Sequence, residues 1–381
     1  MAIPTGAARV TPPDARGAAG GASGARFVCA DGAIISLETS LKQASSRRTV
    51  DRMARPLLAV GLSLLCGCSD PAPAAAPVWR DAFAPGTSWL MNVWGPAPDA
   101  LYAVGGRPAA GVIFRFDGSA WARVDPGLTT PLLNWVYGFS RADVTVVGNG
   151  GTVIHWDGRA WSRQPTPTTR SLWGVWGAAP DDLWAVGGDG VADAPPVLLH
   201  WDGGRWRDEP IPTLQRSGVG AFFKVWGTGA DNVYVVGQRG VVLHRVGGAW
   251  REELVGVSAD LVSVWGTDAD HVLAVGGRAN AVVARWDGRA WTARTLDYFP
   301  GLNGVWMRRP DAAHVVGAQG TSLRIDLASL AVREETVPTA LDLHAVFGDA
   351  SGRLTAVGGS LSSLSGPFDG VALTRPLTPQ E

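Results

Sequence analysis

Three histidines are the residues best suited to chemistry. His155, His200 and His244 stand in the related strings TVIHWDG, VLLHWDG and VVLHRVG, and imidazoles brought together bind zinc or relay protons. Arg115, Arg285 and Arg324 fill the matching slot elsewhere, so the position takes a polar side chain and not one dedicated ligand. Aspartates form a second recurring set: Asp99, Asp181, Asp231, Asp270 and Asp311 each lie six residues before a glycine. Asp268 with Asp270, and Asp189 with Asp193, could touch a cation, but neither pair supplies the roughly six to eight oxygens that calcium takes. The chain contains no Gly-x-Ser-x-Gly elbow, His-Glu-x-x-His pair or phosphate loop. No catalytic, cofactor-binding or metal-binding residue is therefore expected, and the chain reads as non-enzymatic.

The neighbours of the histidines decide their role. HWDGRAW at 155–161 returns as HWDGGRW at 200–206 and RWDGRAW at 285–291, with RFDGSAW at 115–121. Asp-Gly between two strand-like runs marks a hairpin, expected here as a two-residue type I′ turn with positive φ at both positions. Trp156 and Trp161 flank the turn and are expected to pack across it, each burying roughly 150–250 Å². The string reads as a turn and not as a binding site. The recurring aspartates fall in another turn, where they would cap the backbone.

These hairpins belong to a longer period. VWG or a near copy occurs at Val93, Val136, Val175, Val225, Val264, Val305 and Val346, in steps of 43, 39, 50, 39, 41 and 41 residues. Each anchor is followed by a run such as LWAVGG, then by the histidine run, then by one headed by Trp121, Trp161, Trp206, Trp250 or Trp291. Four short runs rich in Val, Trp and Leu, separated by Gly or Asp-Gly, predict four antiparallel strands. Seven such units predict an all-β, seven-bladed β-propeller. The seventh unit stops after its third run, and VWRDAF at 78–83 matches a fourth, with Trp79-Arg80 aligned to Trp206-Arg207. The N-terminal strand is thus expected to close the last blade and protect its edge. With strands ~4.8 Å apart, equivalent histidines on different blades would stand more than about 10 Å apart, too far to share a metal.

Diglycine closing the second run, an aromatic-Asp ending the third and Trp opening the fourth resemble kelch and Asp-box propellers. The Asp-to-Trp spacing is shorter than either, and the Gly-His that opens WD repeats is absent. The chain resembles bacterial envelope lipoproteins built from repeated VWG…AVGG…HWDG…W units, a likeness that covers 78–381 and implies the fold.

The segment from Met53 fits that likeness. Arg55 precedes a short apolar run, Leu57 to Leu65, too short to span a bilayer and of signal-peptide length. Leu65-Cys66-Gly67-Cys68 resembles a lipobox, which implies a lipid on Cys68 and a place in the bacterial cell envelope, with Ser69 favouring the outer membrane. Residues 53–67 are then a lipoprotein signal peptide, 68–77 an Ala/Pro tether, and 78–381 the propeller. Residues 1–52, Ala/Gly/Arg-rich and aperiodic, are expected to be disordered or to precede the true start at Met53.

Charge narrows the partners. The chain carries 33 Lys+Arg against 34 Asp+Glu, and its only lysines are Lys42 and Lys224. Without a basic patch in the repeats, nucleic acid is not an expected partner. A single-chain, monomeric ring is expected. All three cysteines, Cys29, Cys66 and Cys68, precede the repeats, so the fold rests on packing. Three stretches exceed the repeat: 189–196, 208–223 and 360–370. They join second to third strands or adjacent blades, connections that share one face, and function collects where a repeat departs from its scaffold. A partner surface is expected there, using Arg216, Phe222, Phe223 and Phe368. The favoured function is a lipid-anchored protein- or peptide-interaction scaffold. The alternative is a carbohydrate-binding propeller that recognises polysaccharide through Trp89, Trp135, Trp173 or Trp184, and the third reading is a glycan hydrolase or lyase. A sialidase-type site needs several Arg around a Tyr/Glu pair, whereas Tyr102, Tyr137, Tyr234 and Tyr298 lie in or beside repeat strands.

Overall fold

A computed structural model of the chain describes residues 77–191, 194–361, 365–378 and 381. The described residues form seven four-stranded antiparallel sheets, the blades of a propeller. Their innermost strands are Trp89–Ala97, Leu133–Ser140, Leu172–Ala179, Phe222–Gly229, Leu261–Gly266, Leu302–Arg309 and Asp342–Gly348. Successive innermost strands lie side by side, and the first lies against the last. Each blade is covered on both faces by its neighbours, so second strands such as Asn232–Gly237 and Val272–Gly276 are buried almost throughout. This is why their sequences read as continuous apolar runs and not as alternating ones. The first glycine of each diglycine lets two strands approach: a Cβ on Gly105 would meet the Trp89 carbonyl oxygen at 1.9 Å.

The ring closes as the terminal match predicts. Arg80–Asp81 pairs with Gly370–Pro376, Arg80 opposite Thr374 and Asp81 opposite Leu373. The closing segment is anchored by Trp79, which is buried and donates its indole N–H to Glu335 Oε2 at 3.1 Å.

The Asp-Gly hairpins join third to fourth strands as expected, and their tryptophans face across the ladder: Trp156–Trp161, Trp201–Trp206 and Trp286–Trp291 have centroids 5.7, 5.6 and 5.8 Å apart. Their turn type differs from the expectation. Only the glycine takes positive φ, 90° at Gly158, 84° at Gly203 and 85° at Gly288. The aspartate keeps ordinary backbone and uses its side chain instead: Asp157 Oδ1 accepts the N–H groups of Arg159 and Ala160, both at 2.8 Å. Those donated hydrogen bonds, from Ala160 first, hold the Asp157 carboxyl below the usual carboxylate range. The carboxylate satisfies N–H groups that a type I′ turn would leave to other partners, so the side chain selects the turn.

Candidate functional site

All seven innermost strands carry a β-bulge at the same place, two residues before the Val of the VWG anchor. A bulge sets two residues against one, and the extra residue is re-aimed. The seven bulged residues are Met91, Asn134, Trp173, Phe223, Val262, Asn303 and His344. Five of them, Trp173 through His344, line a funnel of about 380 Å³ at the channel mouth, together with Lys224, Arg278 and Asp342. Met91 and Asn134 are buried; Asn134 donates through Nδ2 to Leu172 O at 2.8 Å.

The funnel ends on a plug. The aromatic residues of six of the seven VWG copies, Trp94, Tyr137, Trp176, Trp226, Trp265 and Phe347, enclose a void of only about 20 Å³. The Trp176, Trp226 and Trp306 rings also cover the glycine of the next blade. A Cβ on Gly266 would meet the Trp226 ring at 2.5 Å, and one on Gly348 would meet the Trp306 ring at 2.2 Å. In the sixth copy Met307 replaces the glycine, and the Trp265 indole N–H donates to its carbonyl at 3.2 Å. Burial pushes the Tyr137 hydroxyl up to about 12, and it donates to Gly177 O at 3.1 Å.

The polar groups of the funnel tie blades together. His344 Nδ1 donates to Met91 O at 2.6 Å, Asn303 Nδ2 to Leu343 O at 3.0 Å, and Lys224 Nζ to Trp173 O at 3.0 Å. Lys224 is buried, and its ammonium position lies 4.1 Å from the Trp135 ring centroid. Burial lowers its pKa to about 7; burial, with Lys224 adding to it, lowers that of His344 to about 3. Arg278 stands over Phe223 at 5.2 Å and pairs with Asp260 at 2.9 Å.

The residues expected at a partner surface separate. Phe223 is a bulge residue of the funnel, and Leu361 of the 360–370 stretch lines it as well. Phe222, its neighbour, has no exposure and sits in the core, so it does not contribute to that surface; the bulge turns Phe223 away from it. Phe368 is half-buried against Trp89, centroids 4.9 Å apart. Arg216, half-buried, donates to Arg239 O. The 189–196 and 208–223 stretches meet where the Gly190 N–H donates to Gly220 O at 3.3 Å, beside the Gly188–Ala221 bridge. Cys68, the apolar segment 53–67 and the tether up to residue 76 lie outside the described residues.

The histidines stay apart in separate blades: His155 meets Asp143 at 3.0 Å, His200 meets Asp182 at 2.8 Å and His244 meets Asn232 at 2.7 Å. The recurring aspartates reach across to the third–fourth turn. Asp231 Oδ1 accepts the Gly248 N–H at 2.9 Å, and a Cβ on Gly118, Gly203 or Gly288 would meet Asp99, Asp181 or Asp270 at 2.9 Å or less. One group unmarked in the sequence has a metal-like arrangement: ligating atoms of His314, Glu335 and Glu381 lie within 4.8 Å of one another. Arg375 Nη2 fills the space between them, at 3.3, 2.7 and 2.8 Å, so a guanidinium takes the place a cation would. Of the tryptophans considered for sugar stacking, Trp89 and Trp184 are buried, while Trp135 and Trp173 are half-buried near the funnel.

Fold and site together define a seven-bladed β-propeller with a plugged axis and one open funnel. Solved propellers resemble it in structure. YCF48 from Cyanidioschyzon merolae matches with a TM-score of 0.59 and 16% identity, over 80% of this chain and 100% of that one. A structure described as YCF48 bound to D1 peptide matches at 0.57 and 15%, over 79% and 97%. The WD40 β-propeller domain of Doa1 matches at 0.61 and 11%, over 78% and 97%. No protein-family model matches the chain, and no curated protein matches it in sequence.

Proposed function

We propose that the protein is a lipid-anchored propeller of the bacterial envelope that binds a protein or peptide, without catalysing a reaction, through the face bearing the funnel. The observation that carries this reading is the ring of bulges: seven equivalent backbone positions hold side chains of six types, five of the seven open to one cavity. A scaffold that repeats its backbone while varying what it presents suits recognition of one specific partner. A structural neighbour described with a bound peptide supports the same use of the fold. Among the described residues that line the funnel Asp342 is the single carboxylate, whereas glycan hydrolysis of the usual kind takes two. Half-buried Trp135 and Trp173 favour carbohydrate as the second reading.

Affinity capture from native envelopes tests the proposal, with full-length protein beside a Trp173→Ala, Phe223→Ala double variant. A protein recovered with the parent and lost with the variant is the expected result. Polysaccharide alone, recovered with the parent, would replace the peptide reading with the carbohydrate one.

A further inference from the structure

We infer that the funnel is a receptor for a carboxylate, which binds at Lys224. Lys224 is the only lysine among the described residues. It follows the bulge in its innermost strand and lines the funnel at the depth where Trp173 and Trp135 stand. An ammonium has three N–H groups. One is used on Trp173 O at 3.0 Å, and the ring of Trp135 faces the charge at 4.1 Å. Among the described residues no carboxylate pairs with it, which is uncommon for a buried cation.

The other charged and titratable groups of the funnel do not supply the missing partner. Arg278 already pairs with Asp260 at 2.9 Å. Asp342 Oδ1 accepts the Gln319 N–H at 2.9 Å. His344 donates from Nδ1 to Met91 O, so its Nε2 carries a lone pair, and burial keeps the ring unprotonated through neutral pH. A proton arriving with an anion therefore goes to the amine. Burial alone lowers the pKa of Lys224 to about 7, so near neutrality the empty site is a mixture of amine and ammonium. An entering carboxylate supplies a charge-assisted acceptor and restores the full charge. The walls from Trp173, Phe223, Val262 and Leu361 are apolar, which favours an acid with an apolar body. The same funnel serves the protein-binding reading, but a carboxylate at Lys224 is measured with small probes and does not require a protein partner.

Calorimetry with benzoate tests it on the full-length chain. Saturable binding at pH 7 is expected, with uptake of a fraction of a proton in buffers of differing ionisation heat. Affinity should fall at least about tenfold between pH 7 and pH 9, as the ammonium loses its proton. Lys224→Met should abolish binding. Lys224→Arg, always charged, should bind without proton uptake, a result that misfolding cannot imitate. A second titration with acetyl-Gly-Glu-Gly-amide separates sources: tenfold tighter benzoate assigns a small free acid, and tenfold tighter peptide assigns an acidic side chain. No saturable binding of either probe, or equal binding by parent and Lys224→Met, would overturn the receptor.

Discussion

On one face of the ring, third–fourth turns repeat the same chemistry. Asp117, Asp157, Asp202 and Asp287 each accept two backbone N–H groups from residues two and three places on, and the glycine beside each lies against the neighbouring first–second turn. On the opposite face the connections differ in length, and the bulged residues run from Met91 and Asn134 through Trp173 to His344. Both faces are ends of the same strands. The turn face is fixed by short-range hydrogen bonds that a seven-residue string encodes, so the string recurs. The funnel face is fixed by backbone register, which leaves the side chain free to vary. The recurring turns and the variable side chains thus sit at different ends of one repeat.

Substituting one residue type in two places tests that division most strongly. Trp226 is buried in the plug and covers Gly266, so Trp226→Ala should cost about 3–5 kcal/mol. Trp173, half-buried at the funnel, should cost less than about 1.5 kcal/mol on the same change. Urea unfolding midpoints read both. Equal losses would mean that the funnel wall is as much a part of the core as the plug, and the division would break.

Acid sharpens the comparison at the seam, where blade seven lacks an Asp-Gly turn because its fourth strand comes from the N-terminal segment. There Arg375 joins His314, Glu335 and Glu381, beneath Trp79, with Arg324 also near His314. Burial, assisted by Arg375, lowers the pKa of His314 to about 4. Burial opposes the charge of Glu381, but hydrogen bonds from Arg375 and Thr378 outweigh it and lower its pKa to about 2. Both groups have folded values below their ordinary ones, so the unfolded chain binds protons first and stability falls as pH falls. The loss from His314 falls between about pH 6.5 and 4, and that from Glu381 between about pH 4.5 and 2. Thermal unfolding from pH 7 downward should show a decline that begins near pH 6.5, and His314→Gln should remove its upper part. A flat profile down to pH 4 would separate the seam from the ring's stability.

Much of this was legible in the sequence for a physical reason. Blade number and closure follow from the VWG period and from Trp79-Arg80, because a propeller needs the same buried positions in every unit. The turn type is not legible from the dipeptide: Asp-Gly favours positive φ at two residues, but Asp157 finds two N–H groups within reach and keeps ordinary backbone. Phe222 and Phe223 read alike as neighbouring aromatics, but the bulge at Phe223 turns it into the funnel while Phe222 stays in the core. The bulge ring was not legible as such, since an extra residue is a property of two paired strands. Its trace was present: the two positions before each VWG copy are the ones that change chemistry from blade to blade.

The smallest effect separates bulges that are closed from those that are open. Asn134 and Asn303 occupy equivalent bulges, and each donates through Nδ2 to a carbonyl of the next blade, Leu172 O at 2.8 Å and Leu343 O at 3.0 Å. Asn134 is 1% exposed, so truncation strands the Leu172 carbonyl among buried groups. Asn303 lines the funnel, where water can replace the amide. Asn134→Ala should therefore cost about 1–2 kcal/mol and Asn303→Ala about 0.5 kcal/mol, read as denaturant midpoints of the two variants. The reverse order would place water at Asn134 and exclude it from Asn303, leaving the open sector of the ring without its defining property.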